Sequence, residues 1–215
     1  MKVLLLGASG RTGKHVLSEA LEKGYKVHCV VRNPDKVDDR AQIFEGTPYD
    51  ISVLEKAIQG CDCVIGVLNI SRNSDFPWSK LRTPEKFLSD VMGNLITLAE
   101  KNGIKRVVVC SAWGVSETKE DIPGWFNWFI ENSNIGVAYK DHERQEKLLE
   151  DSELDWTIVR PVGLTNFGRS ELVKESYKNL PKPGILISRK TLAHYLIDSI
   201  QDENLIHKKV VVSTG

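Results

Sequence analysis

Short apolar runs alternate along the chain with longer stretches in which apolar positions recur every three or four residues. Val3 to Leu6, Val27 to Val31, Cys63 to Leu68, Arg106 to Cys110, Trp156 to Val159 and Lys209 to Ser213 read as buried strands, with Gln42 to Glu45 a weaker one. Helical stretches separate them: Lys14 to Lys23 ended by Gly24, Val53 to Gln59 ended by Gly60, Phe87 to Lys101 ended by Asn102-Gly103, Asp141 to Asp151, and Thr191 to Ile200. Strands apolar on both faces and separated by helices predict a parallel sheet covered on both sides. The expected fold is an α/β, doubly wound parallel sheet, Rossmann-like, in a single domain over residues 1–215. Two segments interrupt the rhythm. Asn69 to Pro84 is polar and rich in Ser and Arg, and Trp113 to Tyr139 holds three of the five tryptophans, Trp113, Trp125 and Trp128. Both follow strands at the sheet edge where ligands bind. With residues 162–190, segments 69–84 and 113–140 are expected to form a small substrate-side region. Packing is the favoured role for the Trp125–Phe129 aromatics, ahead of stacking on a substrate.

Charge narrows the function classes. The chain carries 29 basic and 29 acidic side chains, for a net charge of zero. Nothing favours bulk attraction to nucleic acid or to an anionic membrane. No apolar run approaches the roughly 18–20 residues of a membrane helix. The apolar start stops at Gly7, too soon for a signal peptide, so a cytoplasmic location is expected. Of four cysteines, Cys29, Cys63 and Cys110 lie in apolar runs, as reduced structural cysteines do. Cys61-Asp62-Cys63 has the spacing of neither a zinc knuckle nor a redox pair. No His, Cys and Asp cluster has metal-ligand spacing, so no metal is expected.

The most informative stretch is Gly7-Ala8-Ser9-Gly10-Arg11-Thr12-Gly13, between the first strand and the first helix. Its GxxGxxG spacing is a variant of the dinucleotide fingerprint. Gly7 permits the tight turn, Gly10 admits a pyrophosphate to the backbone, and Gly13 lets helix and strand pack closely. The helix N-terminus then offers free N–H donors to the anion. Where an NAD site has an acid at the end of the second strand, this chain has Arg32. A guanidinium there suits a 2′-phosphate, which predicts NADP (NADPH) rather than NAD. Lys36 and Arg11 add local charge that the balanced total conceals.

With these residues the chain resembles the atypical short-chain dehydrogenases/reductases, and among them the NAD(P)H-binding group of the biliverdin reductase B / flavin reductase kind. Further residues carry the resemblance: Val67 to Asn73 after the fourth strand, Cys110-Ser111-Ala112-Trp113 after the fifth, Asp141 to Arg144, Trp156 to Pro161, and Ile187 to Lys190. The resemblance implies that Leu68 and Asn69 lie beside ribose and pyrophosphate, and that Ser111 lies near the nicotinamide. It also implies that Pro161, Val162 and Gly163 line the nicotinamide through their backbone, and that His142 lies near the pocket. Two departures stand out. The Tyr-x-x-x-Lys pair of typical members is absent, because Tyr139 is followed four residues later by Glu143. The usual Gly-Asp after the third strand is Gly46-Thr47, leaving Thr47 as the candidate adenine contact.

Reduction of a conjugated acceptor needs orientation and a proton more than an elaborate catalytic group. Ser111, at a strand end, can donate and accept, and His142 is a candidate proton donor near neutral pH. The leading expectation is an NADPH-dependent oxidoreductase passing hydride to a flavin, quinone or similar flat, conjugated small molecule, as a monomer or small homo-oligomer. An NADP-binding redox sensor of the NmrA-like kind, without turnover, is the alternative. A nucleotide-sugar epimerase or dehydratase ranks third, because the lysine-assisted tyrosinate is missing.

Overall fold

A computed structural model describes residues 1–167 and 172–215. The part of the expected substrate-side region at 168–171 lies outside the described residues. Strands β1 (Lys2–Leu6), β2 (Lys26–Val31), β3 (Gln42–Glu45), β4 (Cys63–Gly66), β5 (Arg106–Cys110) and β6 (Asp155–Pro161) alternate with helices α1 (Gly13–Glu22), α2 (Ile51–Ile58), α3 (Phe87–Lys101), α4 (Gly124–Glu131) and α5 (Ile135–Glu150). Short strands β7 (Gly163–Thr165), β8 (Lys174–Ser176) and β9 (Leu186–Ser188) follow, then α6 (Arg189–Asp198) and β10 (Lys208–Ser213).

The main sheet runs β3-β2-β1-β4-β5-β6-β10-β8. All pairings are parallel except the edge pair β10–β8. β7 and β9 form a separate parallel pair. This is the doubly wound arrangement the alternation predicts. Because the chain winds outward in both directions from β1 and β4, the connections leave those two strands on opposite faces and open a crevice at their C-terminal ends.

Strand side chains alternate between two cores. Val3, Leu5, Cys63 and Ile65 pack with α1 and α6 on one face. Leu4, Leu6, Val64, Val107 and Val109 pack with α2 and α3 on the other. Each fully buried Leu or Ile in these layers contributes about 1.5–3 kcal/mol.

Several elements depart from the sequence reading. α5 begins at Ile135, six residues before Asp141. The acid that reads as a favourable first-turn residue is instead fully buried in mid-helix. It accepts the Leu88 N–H at 2.6 Å and the Ser89 hydroxyl at 2.6 Å, and so caps α3, which has no side-chain cap of its own. The Trp-rich segment contains α4, which the pattern does not reveal because apolar residues occupy all its faces. Its Ile130 packs closely on Gly136 of α5: a Cβ at Gly136 would stand 2.5 Å from the Ile130 carbonyl oxygen. Trp113 is buried, but Trp125 and Trp128 are 72% and 58% exposed, so packing does not account for them. β4 stops at Gly66, two residues short of Leu68. α6 starts at Arg189, where the Ser188 hydroxyl caps the Thr191 N–H at 3.0 Å.

Candidate cofactor and acceptor site

A cleft of about 660 Å³ lies over the C-terminal ends of β1 and β4. Its floor is the glycine-rich turn. Gly7 has φ +95°, and a Cβ there would stand 2.9 Å from the Val67 carbonyl oxygen, so only glycine lets the segment after β4 pass this close. A Cβ at Gly13 would stand 2.0 Å from the Gly7 carbonyl oxygen, which is the tight helix-on-strand contact the spacing predicts. α1 starts with no side-chain cap at Thr12 and no acid in its first turn. Among the described residues the N–H groups of Arg11, Thr12 and Gly13 meet no acceptor. Free donors at the positive end of a helix, in a turn with glycine at three of its seven positions, fit a pyrophosphate.

Gly7, Ser9, Gly10, Arg11, Thr12, Arg32, Thr47, Leu68, Asn69, Ser111 and His142 all line this cleft. Gly13 lies beneath it. Arg32 is exposed at the rim beyond β2. Arg11, by contrast, is engaged: its two terminal nitrogens donate to Asp75 at 2.9 Å each, tying the 69–84 segment to the glycine turn. Pro161, Val162 and Gly163 do not line the cleft as the resemblance implies. The Val162 N–H donates to Val212 at 3.2 Å and the Gly163 N–H to Ile185 at 3.0 Å, so these donors are consumed by strand pairing. Leu164 occupies the wall instead.

Sequence reasoning missed two aromatics at the Arg32 end. Tyr49 stacks on Phe87 with ring centroids 6.3 Å apart and 15° between planes, and both line the cleft. The position of Tyr49 just after Gly46-Thr47-Pro48 was the available signal. At the other end, the Ser111 hydroxyl donates to Glu146 Oε1 at 2.5 Å. Glu146 is held by Arg160 through bonds of 3.0 and 2.6 Å, and Arg160 reaches Glu117 at 2.8 and 3.1 Å. Glu146 and Arg160 are each 1% exposed. With its proton committed to Glu146, Ser111 presents lone pairs to the cleft.

His142 is buried, and its Nδ1 has no partner. Burial, opposed in part by the Asp141 carboxylate, lowers its imidazole to about 4. It is therefore neutral near pH 7, which corrects its reading as a proton donor titrating there. Burial pushes the half-buried Cys110 thiol, also on the cleft wall, up to about 12. Tyr139 lies outside the lining, edge-on to Phe126, and burial raises its hydroxyl. Among the described residues no helix is long and apolar enough to cross a membrane.

Residues 7–203 match the family described as NAD(P)H-binding. The chain belongs to this family. An oxidoreductase of Pestalotiopsis microspora is 28% identical over 92% of this chain and 79% of its own length. A wide-type short-chain dehydrogenase/reductase of Veillonella parvula, solved with NADP, superposes with TM-score 0.77 at 18% identity, covering 99% of this chain and 94% of that one. An anaerobilin reductase of Escherichia coli O157:H7 superposes with TM-score 0.79 at 20% identity, covering 99% and 97%.

Proposed function

We propose that the protein uses NADPH, rather than NADH, to reduce a flat conjugated acceptor such as a flavin or quinone. The observation that carries this reading is the exposed Arg32 guanidinium at the rim of a cleft that Ser111 and the uncharged His142 also line. When bound, the cofactor supplies a hydride. The turn at Gly7–Gly13 holds its diphosphate, Arg32 meets the 2′-phosphate, and Tyr49 with Phe87 offers an aromatic platform for adenine. Ser111, fixed by Glu146 and Arg160, offers lone pairs to an N–H or amide at the reacting end. His142, uncharged, is a hydrogen-bonding wall rather than an acid. The proton then comes from solvent, which suits acceptors that are themselves acid–base active after reduction. A Veillonella parvula protein of similar fold was solved with NADP, which supports this reading.

The test is to mix the purified protein with NADPH and a panel of flavins and quinones and follow the nicotinamide absorbance. Turnover of at least one conjugated acceptor is expected. Tight NADPH binding with no acceptor reduced overturns the reading in favour of a cofactor-binding sensor.

A further inference from the structure

We propose that Arg189, the first residue of α6, is a cofactor-binding residue that meets the diphosphate at the glycine-rich turn. This rests on the cofactor reading above and adds a second cation to it, separate from Arg32 and the 2′-phosphate. Arg189 lines the same cleft as Gly7, Gly10, Arg11 and Thr12. Its half-buried guanidinium is steered by neutral acceptors: Nη1 donates to Asn166 Oδ1 at 2.7 Å and to the Leu164 carbonyl at 3.4 Å. Among the described residues no carboxylate lies within ion-pair distance of it, and Nε and Nη2 have no acceptor. A cation partly withdrawn from water without a counter-ion favours an anionic ligand.

The packing of α6 on α1 fixes where that charge sits. The His194 imidazole bonds Glu19 at 2.8 Å, and one turn further on Asp198 pairs with Lys23. Positions 194 and 198 of α6 thus lie beside 19 and 23 of α1, so the two helices run side by side in the same direction. One turn back from the His194–Glu19 contact, Lys190 falls beside His15 and Arg189 beside Lys14, in the first turn of α1. The local electrostatics agree. Burial, with the charges of Lys14, Arg189 and Lys190, lowers the His15 imidazole. Burial and the Arg11 guanidinium lower Arg189, and Asp75 offsets part of that effect. Arg189 therefore stands with Arg11 at the mouth of α1, where the N–H groups of Arg11, Thr12 and Gly13 meet no acceptor among the described residues. The two arginines are not equivalent. Arg11 is committed to Asp75 through two bonds of 2.9 Å, and Arg189 keeps an uncompensated charge. A diphosphate carries negative charge on each phosphate, and a planar guanidinium beside it can donate two N–H bonds at once.

Calorimetric titration of the wild type and Arg189→Gln with NADP⁺, NAD⁺ and adenosine 2′-monophosphate reads the contact without turnover. The third ligand carries the 2′-phosphate and lacks the diphosphate. Arg189→Gln is expected to weaken NADP⁺ and NAD⁺ by the same factor, about tenfold or more, and to change adenosine 2′-monophosphate by less than about twofold. Lys190→Gln removes the neighbouring exposed charge and should cost less than about twofold for every ligand. A melt without ligand checks that Arg189→Gln is folded, and Arg189→Lys carries the same comparison with a smaller expected loss. Unchanged dinucleotide binding by Arg189→Gln overturns the proposal. So does a loss of NADP⁺ alone, which would put the guanidinium at the 2′-phosphate. An equal loss in Lys190→Gln also overturns it, since the effect would then be one of long-range charge. A protein that loses both dinucleotides in Arg189→Gln yet reduces no acceptor defeats the reductase reading and leaves Arg189 at the diphosphate. One that turns over while Arg189→Gln binds normally does the reverse.

Discussion

In the proposed reading Arg32 selects NADPH through one contact, so its removal should be felt by one nucleotide and not the other. A hydrogen bond to a charged group contributes about 1.5–3 kcal/mol. Arg32→Ala is expected to weaken NADPH binding about 10–100-fold and NADH little, as measured by titration of each. Equal loss of both would contradict the proposed selectivity. His142 makes a prediction about pH. Its folded value, about 4, lies below the 6.5 of an unperturbed imidazole. As pH falls through that interval the unfolded chain takes up a proton that the folded chain refuses, so stability falls with it. His142→Gln should flatten the urea midpoint between pH 6.5 and 4 relative to wild type. The glycines, Arg32 and Ser111 were legible because spacing or a strand end marks their place. Glu146 was not. It stands in a run of charges that reads as a solvated helix face, and it is buried only because Arg160 arrives from β6 to meet it.

At the scale of elements, α5 carries the internal polar architecture. Asp141, His142, Gln145 and Glu146 are buried on one side of it. Glu146→Ala would leave Arg160 charged and half abandoned in the interior, at a cost of about 3–5 kcal/mol, which chemical denaturation should read directly. Ser111 loses its orienting acceptor in the same variant, so any residual activity should also fall. Asp141→Ala should cost about 1–2 kcal/mol by uncapping α3, with the first turn of that helix exchanging its amide hydrogens faster. The strands and the long helix Phe87–Lys101 were readable because their apolar periods are strong. The start of α5 was not, because an acid followed by charged residues looks the same whether it begins its own helix or caps a neighbour. The short strands β7, β8 and β9 have three residues each, too few for a period to register.

Over the whole molecule, the cleft joins segments distant in the chain: the turn after β1, the loop after β4, the end of β5 and the first residue of α6 all line it. A dinucleotide bridging them stabilises the folded state by mass action. At a hundredfold excess over Kd the gain is about 2.7 kcal/mol, or about 5–10 °C in Tm for a chain of this size. NADP⁺ should give this shift in a thermal melt, and NAD⁺ a smaller one at equal concentration. Identical shifts would argue against discrimination at the rim. The topology of this assembly was foreseeable from the alternation alone. The Arg11–Asp75 tie was not, since it joins two exposed loops with no pattern of their own.

Cys110 faces the same cleft, and quinones are electrophiles that arylate thiolates. With its sulfhydryl raised to about 12, only on the order of one molecule in 10⁵ carries the reactive anion at neutral pH. Under the proposed reduction of quinones, this wall is thereby spared alkylation by the acceptor, and repeated turnover should leave the sulfur unmodified.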